Sequence, residues 1–198
     1  MRETQSKSYH EIRDCIARDW YKYLKKIIPN AKWILLPSIE KDIERYIKDW
    51  DVNAFVLTGG EDLGKSSVRD VTEKTIFEFS QKNNLPILGV CRGCQAIYKW
   101  MGGKIIHQKK YNSINHISSR HKIEYNQNIV EVNSFHSNLL DSNIPSKLKV
   151  LARCIEDSSI ECYEGKKILG IMWHPERDIK TQKFDSEAII NLFYNEQL

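Results

Sequence analysis

Pro86-Ile87-Leu88-Gly89-Val90-Cys91-Arg92-Gly93-Cys94-Gln95 is an apolar run of strand character that ends at a cysteine and opens directly into a helical pattern. Gly89 stands two residues before Cys91 and Gly93 two after, the G-x-nucleophile-x-G layout of a strand–turn–helix elbow. The turn is sharp and crowded, so a Cβ at either glycine would meet neighbouring backbone. A thiol placed there sits at the carboxyl end of a strand, beside the positive end of a helix that favours thiolate. The elbow therefore asks the rest of the chain for a base, an orienting group, an oxyanion hole and a pocket.

Working outward, residues 53–57 form a buried strand that runs into Thr58-Gly59-Gly60, and 67–82 read as a helix burying Val68, Val71, Ile76 and Phe79. Upstream, helical spacing predicts a helix over 9–28, a short strand over 31–36 and a helix over 39–50. Downstream of Gly102-Gly103, short alternating runs at 104–108, 121–125, 129–134, 148–154, 159–164 and 168–173 read as hairpins, and a last helix spans 183–197. The order predicts an α/β fold of flavodoxin-like type: a three-layer open sheet, mostly parallel, with antiparallel strands in the C-terminal half. Residues 1–198 read as a single domain, without repeats or linkers.

The 41% apolar and 28% charged content excludes a disordered chain, and a net charge of +4 is mild. No basic run is interleaved with aromatics, and no segment has the length of a membrane span, so neither nucleic acid nor membrane is an expected partner. The N-terminus is too polar for a signal peptide, and five scattered cysteines (15, 91, 94, 154, 162) form no disulfide framework; the expected location is cytoplasmic.

Sites in open α/β sheets lie beyond the carboxyl ends of strands. Three such ends carry reactive residues: Thr58-Gly59-Gly60, Cys91, and His174-Pro175-Glu176. An extended 174–176 segment would put both side chains on one side, letting Glu176 hold one ring nitrogen of His174 while the other faces Cys91. Taken singly, His174 and Glu176 are ordinary residues after a strand; with the elbow they make a nucleophile, base and orienter. The N–H groups of Gly60 and Arg92 are the expected oxyanion hole.

Gly89-Val90-Cys91-Arg92-Gly93-Cys94-Gln95, Leu57-Thr58-Gly59-Gly60 and Trp173-His174-Pro175-Glu176 together resemble class I glutamine amidotransferase-type domains. The blocks Arg69-Asp70-x-x-Glu73 and Val132-Asn133-Ser134-Phe135-His136-Ser137 narrow the resemblance to the γ-glutamyl hydrolase branch, peptidase family C26. The resemblance implies a Cys91–His174–Glu176 triad that opens a γ-glutamyl amide through a γ-glutamyl thioester and releases glutamate. It also implies that Gln95 and the Ser134, Phe135, His136 and Ser137 segment hold the glutamyl amino and carboxylate groups. Plainer readings are an ordinary helix residue for Gln95 and a turn histidine for His136. Arg92 is expected to pair with Glu73 or Asp70 and brace the elbow. Family members usually begin with a short apolar strand ahead of the first helix, which this sequence lacks from its recorded start.

The resemblance implies a small γ-glutamyl substrate, no cofactor and no metal, and leaves a homodimer open. In compactness and Lys/Ile/Asn-rich make-up the chain is similar to a small branch member acting on a γ-glutamyl-CDP-amidate in capsule phosphoramidate synthesis. Lysines 104, 109, 110 and 122 would then meet a diphosphate, or else are solvated surface charge. Alternatives are a γ-glutamyl-γ-aminobutyrate-type hydrolase, a glutaminase subunit feeding ammonia to a synthase, and a binding protein with an idle triad. Redox or zinc chemistry at Cys91-x-x-Cys94 is the remaining alternative; Cys154 with Cys162 makes a poor second zinc pair.

Overall fold

The computed structural model describes residues 2–6, 8–110, 114–178 and 183–194. Strands β1 (Arg2–Gln5) and β2 (Ile12–Cys15) pair antiparallel as a hairpin separate from the main sheet. Helix α1 (Arg18–Ile27) follows, then a 3-10 turn over Glu40–Asp42 that leads into α2 (Ile43–Asp49). Strand β3 (Phe55–Leu57), helix α3 (Ser67–Lys82), strand β4 (Ile87–Val90) and helix α4 (Arg92–Trp100) come next. The second half is strand-rich: β5 (Ile105–His107), β6 (Ser119–Tyr125), β7 (Asn128–Ser134), β8 (Asn138–Leu140), β9 (Leu148–Cys154), β10 (Ile160–Gly165) and β11 (Ile168–Ile171). Helix α5 (Lys183–Tyr194) ends the described chain; the expected continuation to 197 lies outside the described residues.

Among the described residues the main sheet runs β3-β4-β11-β10-β9-β6-β7, with β8 joining β10 to β5. Only β3, β4 and β11 pair in parallel; the other pairings are antiparallel. The three-layer α/β class is the one expected, with a narrower parallel part than the sequence indicated. Strand β4 explains the layering. Leu88 and Val90 pack with Trp20, Tyr23 and Leu24 of α1 and Ile189 of α5, while Ile87 faces the other layer with Ile43, Ile76 and Ile97. A strand covered on both sides reads as a continuous apolar run, as this one does.

Two upstream expectations are corrected. Residues 9–16 do not extend α1; Ile12–Cys15 is strand paired to Arg2–Gln5, and Ile12 is exposed. Asp14 ties this hairpin to the Ser38 turn, accepting from its backbone N–H at 2.8 Å and its hydroxyl at 2.7 Å. Residues 31–36 form no strand, and Trp33, Ile34 and Leu35 are exposed. A strand needs a neighbour for its backbone groups, and among the described residues the sheet ends at β3.

Candidate active site

Cys91 occupies the step between β4 and α4 with φ 51° and ψ −108°, a strained conformation for a residue with a side chain. The flanking glycines allow it. A Cβ on Gly89 would lie 2.7 Å from the Gly93 carbonyl, and one on Gly93 would lie 2.1 Å from the Leu57 carbonyl oxygen. Side chains there would force α4 off the sheet. The thiol is 6% exposed, and burial pushes its pKa up to about 12, eased by the Arg92 N–H and by the Arg177 cation. The resting thiol is therefore neutral and would react as thiolate only after losing its proton to a base.

The imidazole nearest the elbow comes from the neighbouring parallel strand. After β11, Met172-Trp173 lead to His174, and residues 175–177 turn into a short 3-10 helix. The extended 174–176 segment expected from the sequence is thus replaced by a turn. It still brings His174 Nδ1 to 2.6 Å from Glu176 Oε1, with both groups buried. Gly59 shows where the imidazole lies. A Cβ built on it would sit 2.5 Å from His174 Cε1, 3.2 Å from Nε2 and 3.6 Å from Cys91 Cβ. Imidazole and elbow thus border the same point, at a glycine that cannot be anything larger.

The Thr58-Gly59-Gly60 turn is held from behind. Arg69 Nη2 donates to the Thr58 and Gly59 carbonyls at 3.1 and 3.3 Å. In a trans peptide the N–H points opposite its carbonyl, so this grip turns the Gly60 N–H away from Arg69, as an oxyanion donor requires. Arg69 also donates to Glu73 at 2.7 Å and to Glu61 at 3.0 Å. Arg92 bonds both Glu73 and Asp70, so the elbow brace expected from either acid uses both. Asp70 in addition accepts from the Gly64 N–H at 2.6 Å.

The substrate-facing expectations divide. Gln95 is buried and its Nε2 donates to the Asn138 carbonyl at 3.3 Å, which places it against the segment after β7. Phe135 is 41% exposed; its ring meets His174 edge-on at 5.8 Å and carries the Arg177 guanidinium at 4.4 Å. Ser137 is half-buried, and its carbonyl takes the Gln108 N–H at 2.8 Å. Ser134 and His136 are corrected: both side chains are buried and turned inward. Ser134 Oγ donates to the His116 carbonyl at 2.8 Å, and His136 Nε2 faces Glu161. Lys104, Lys109 and Lys122 are exposed, and the Lys110 side chain lies outside the described residues.

Asn133 is a residue whose part the sequence did not reveal. Its Oδ1 accepts from the His174 N–H at 2.9 Å, while its Nδ2 donates to the His174 carbonyl at 2.8 Å and to Asp178 at 3.0 Å. This clamp fixes the backbone of His174 on both sides. Cys94, by contrast, is fully buried in α4 within the core, and its carbonyl accepts from the Tyr163 hydroxyl at 2.6 Å. All five cysteines are free.

With this geometry, the profile of the Glutamine amidotransferase class-I family matches residues 23–195. The chain belongs to this family. Among its relatives, γ-glutamyl-CDP-amidate hydrolase of Campylobacter jejuni is 34% identical over 179 residues, covering 86% of this chain and 84% of the relative. The glutamine-hydrolysing GMP synthase subunit of Methanococcus vannielii is 26% identical, covering 78% of this chain and 82% of that one. A glutamine amidotransferase of Thermotoga maritima superposes with a TM-score of 0.54 at 16% identity over 76% of each chain. This class I amidotransferase-type fold brings the two ends of its parallel strands β4 and β11 to one point. No helix among the described residues is long and apolar enough to cross a membrane.

Proposed function

We propose that this chain is a cysteine-dependent hydrolase of γ-glutamyl amides, with Cys91 as nucleophile, His174 as base and acid, and Glu176 as its orienter. The observation that carries the proposal is the 2.6 Å His174–Glu176 contact set against Gly59, at the same point the Cys91 elbow borders. Glu176 accepts from Nδ1–H, leaving Nε2 with the lone pair that takes the thiol proton. Sγ then bonds to the γ-carbonyl carbon, with the oxyanion at the N–H groups of Gly60 and Arg92. His174 returns its proton to the departing nitrogen as the C–N bond breaks, and a γ-glutamyl thioester remains. Water, deprotonated by His174, adds to the thioester; the C–S bond breaks, glutamate leaves and the thiol is restored.

For the leaving group we propose a cytidine diphosphoramidate, making the substrate γ-glutamyl-CDP-amidate. The similarity to the Campylobacter jejuni enzyme over most of both chains supports this. The similarity to the Methanococcus vannielii GMP synthase subunit favours the second reading, a glutaminase delivering ammonia to a synthase. A panel of glutamine, γ-glutamyl-γ-aminobutyrate and γ-glutamyl-CDP-amidate, scored by glutamate release, tests the choice. The nucleotide amidate is expected to turn over fastest by kcat/KM. Preference for free glutamine, raised further by a synthase partner, would replace the first reading with the second. Cys91→Ala is expected to fold, bind and lose glutamate release, whereas Cys94→Ala keeps it.

A further inference from the structure

Apart from the Cys91 site, three histidines from separate segments meet one buried glutamate. His116 precedes β6, His121 lies on β6, His136 follows β7 and Glu161 lies on β10; each is 3% exposed or less. The His116 ring stacks on His136 and meets His121 edge-on, with centroids 4.8 Å apart in both pairs. Glu161 Oε1 is 3.7 Å from His116 Nδ1, and Oε2 is 3.5 Å from His121 Nε2 and 3.6 Å from His136 Nε2.

These separations are too long for hydrogen bonds, which fall at about 2.7–3.2 Å. They approach the ~3.4 Å edge of a tetrahedron of donors around zinc, whose bonds are about 2.0–2.1 Å long. Both nitrogens of His121, Nε2 of His136 and Oε2 of Glu161 lack hydrogen-bond partners. Each such buried group costs roughly 1–3 kcal/mol, and a cation between His116, His121 and Glu161 would take up one His121 nitrogen and the Glu161 carboxylate.

The outer contacts select the tautomers a metal needs. His116 Nε2 is 2.8 Å from Asp157 Oδ2, and His136 Nδ1 is 3.1 Å from the Asn138 carbonyl. In both rings an oxygen holds the outer nitrogen, so the inner one, Nδ1 of His116 and Nε2 of His136, presents its lone pair inward. With neutral imidazoles, Glu161 and Asp157 would leave uncompensated negative charge in the interior, and a divalent cation cancels it.

We propose that His116, His121 and Glu161 form a binding site for a zinc-type divalent metal ion, held by two imidazoles and one carboxylate, with His136 packed beside the Glu161 carboxylate. All three donors are buried, which suits an ion that braces the sheet. It would tie β6 and the segment before it to β10, beside the 134–138 segment, which carries His136 next to Glu161 and Phe135 next to His174. A second donor set, His116, Cys154 and Asp157, lies nearby and shares His116. It is the weaker choice because Asp157 already occupies His116 Nε2 as an outer partner.

Untagged protein grown with zinc is expected to retain about one zinc ion per chain by mass spectrometry of the metals. Stripping it with a chelator and titrating zinc alone should raise the melting temperature by about 5–10 °C. Cobalt in place of zinc should give the visible bands of a tetrahedral site without a thiolate charge-transfer band. His121→Asn or His116→Gln should weaken zinc binding at least about 100-fold, while Cys154→Ser leaves it unchanged. Stripped wild-type protein that neither binds zinc nor gains thermal stability would overturn the proposal, even if the histidine variants fail to fold. A thiolate band abolished by Cys154→Ser would overturn the assignment in favour of the other donor set.

Discussion

At the scale of the residue, the state of Cys91 sets what the free protein can do. A thiol with a pKa near 12, raised by burial, is almost wholly protonated at neutral pH. Alkylation of Cys91 by iodoacetamide should therefore be slow and keep accelerating beyond pH 9, where an ordinary thiol of pKa about 8.5 has levelled off. Mass-spectrometric labelling rates against pH, with the half-buried Cys15 as internal reference, would show it; a plateau below pH 9 for Cys91 contradicts it. Asn133 belongs at this scale as well. Asn133→Ala removes the clamp on His174, and displacing a base by about 1 Å costs on the order of 100-fold, so kcat should fall by that much with KM little changed. The placement of Cys91, His174 and Glu176 around one point was legible because reactive side chains at strand ends follow local patterns. Asn133 was not, because its partner lies 41 residues away and its role is a backbone clamp. The inward turn of His136 likewise depends on Glu161, which no spacing rule connects to it.

At the scale of the element, the elbow is braced by helix α3. Glu73 stands between Arg69 and Arg92, all three buried, and ties the Thr58-Gly59-Gly60 turn to the Cys91 elbow. Breaking a buried ion network on one side costs about 3–5 kcal/mol, and Glu61 and Asp70 retain one contact to each arginine. Glu73→Ala should thus lower unfolding free energy in urea by about 3 kcal/mol and reduce activity without touching substrate. Helix α5 is docked by the Trp173 indole N–H on Asp185 at 2.9 Å. Burial pushes the Asp185 pKa up to about 7. Between the ordinary aspartate range and pH 7 the folded protein holds a proton that the unfolded chain has lost, so this group lowers stability as pH rises across that window. Asp185→Asn still accepts from Trp173 and should flatten that decline in a series of melts from pH 5 to pH 8. Element reading from sequence succeeded where one pattern had one solution, as at β4 and α4. It failed at 9–16 and 31–36, where helical or strand spacing is present but the pairing partner decides the outcome.

At the scale of the whole molecule, labour is divided between two kinds of pairing. The Thr58-Gly59-Gly60 turn, Cys91 and His174 follow β3, β4 and β11, the strands that pair in parallel, while β5 to β10 make up the antiparallel remainder. The sequence showed this division through the change from helix-alternating to hairpin-like segments, though not how the later strands order beside β10. The division makes the protein modular in descent. A lineage changing its leaving group can rewrite the antiparallel half, Asn133 excepted, and leave the three strand ends untouched. A chimera carrying residues 104–132 and 134–165 of a relative with another substrate should inherit that relative's preference while keeping the same thioester chemistry. The β4–α4 step would then be the heirloom of the family, and the hairpins its vocabulary.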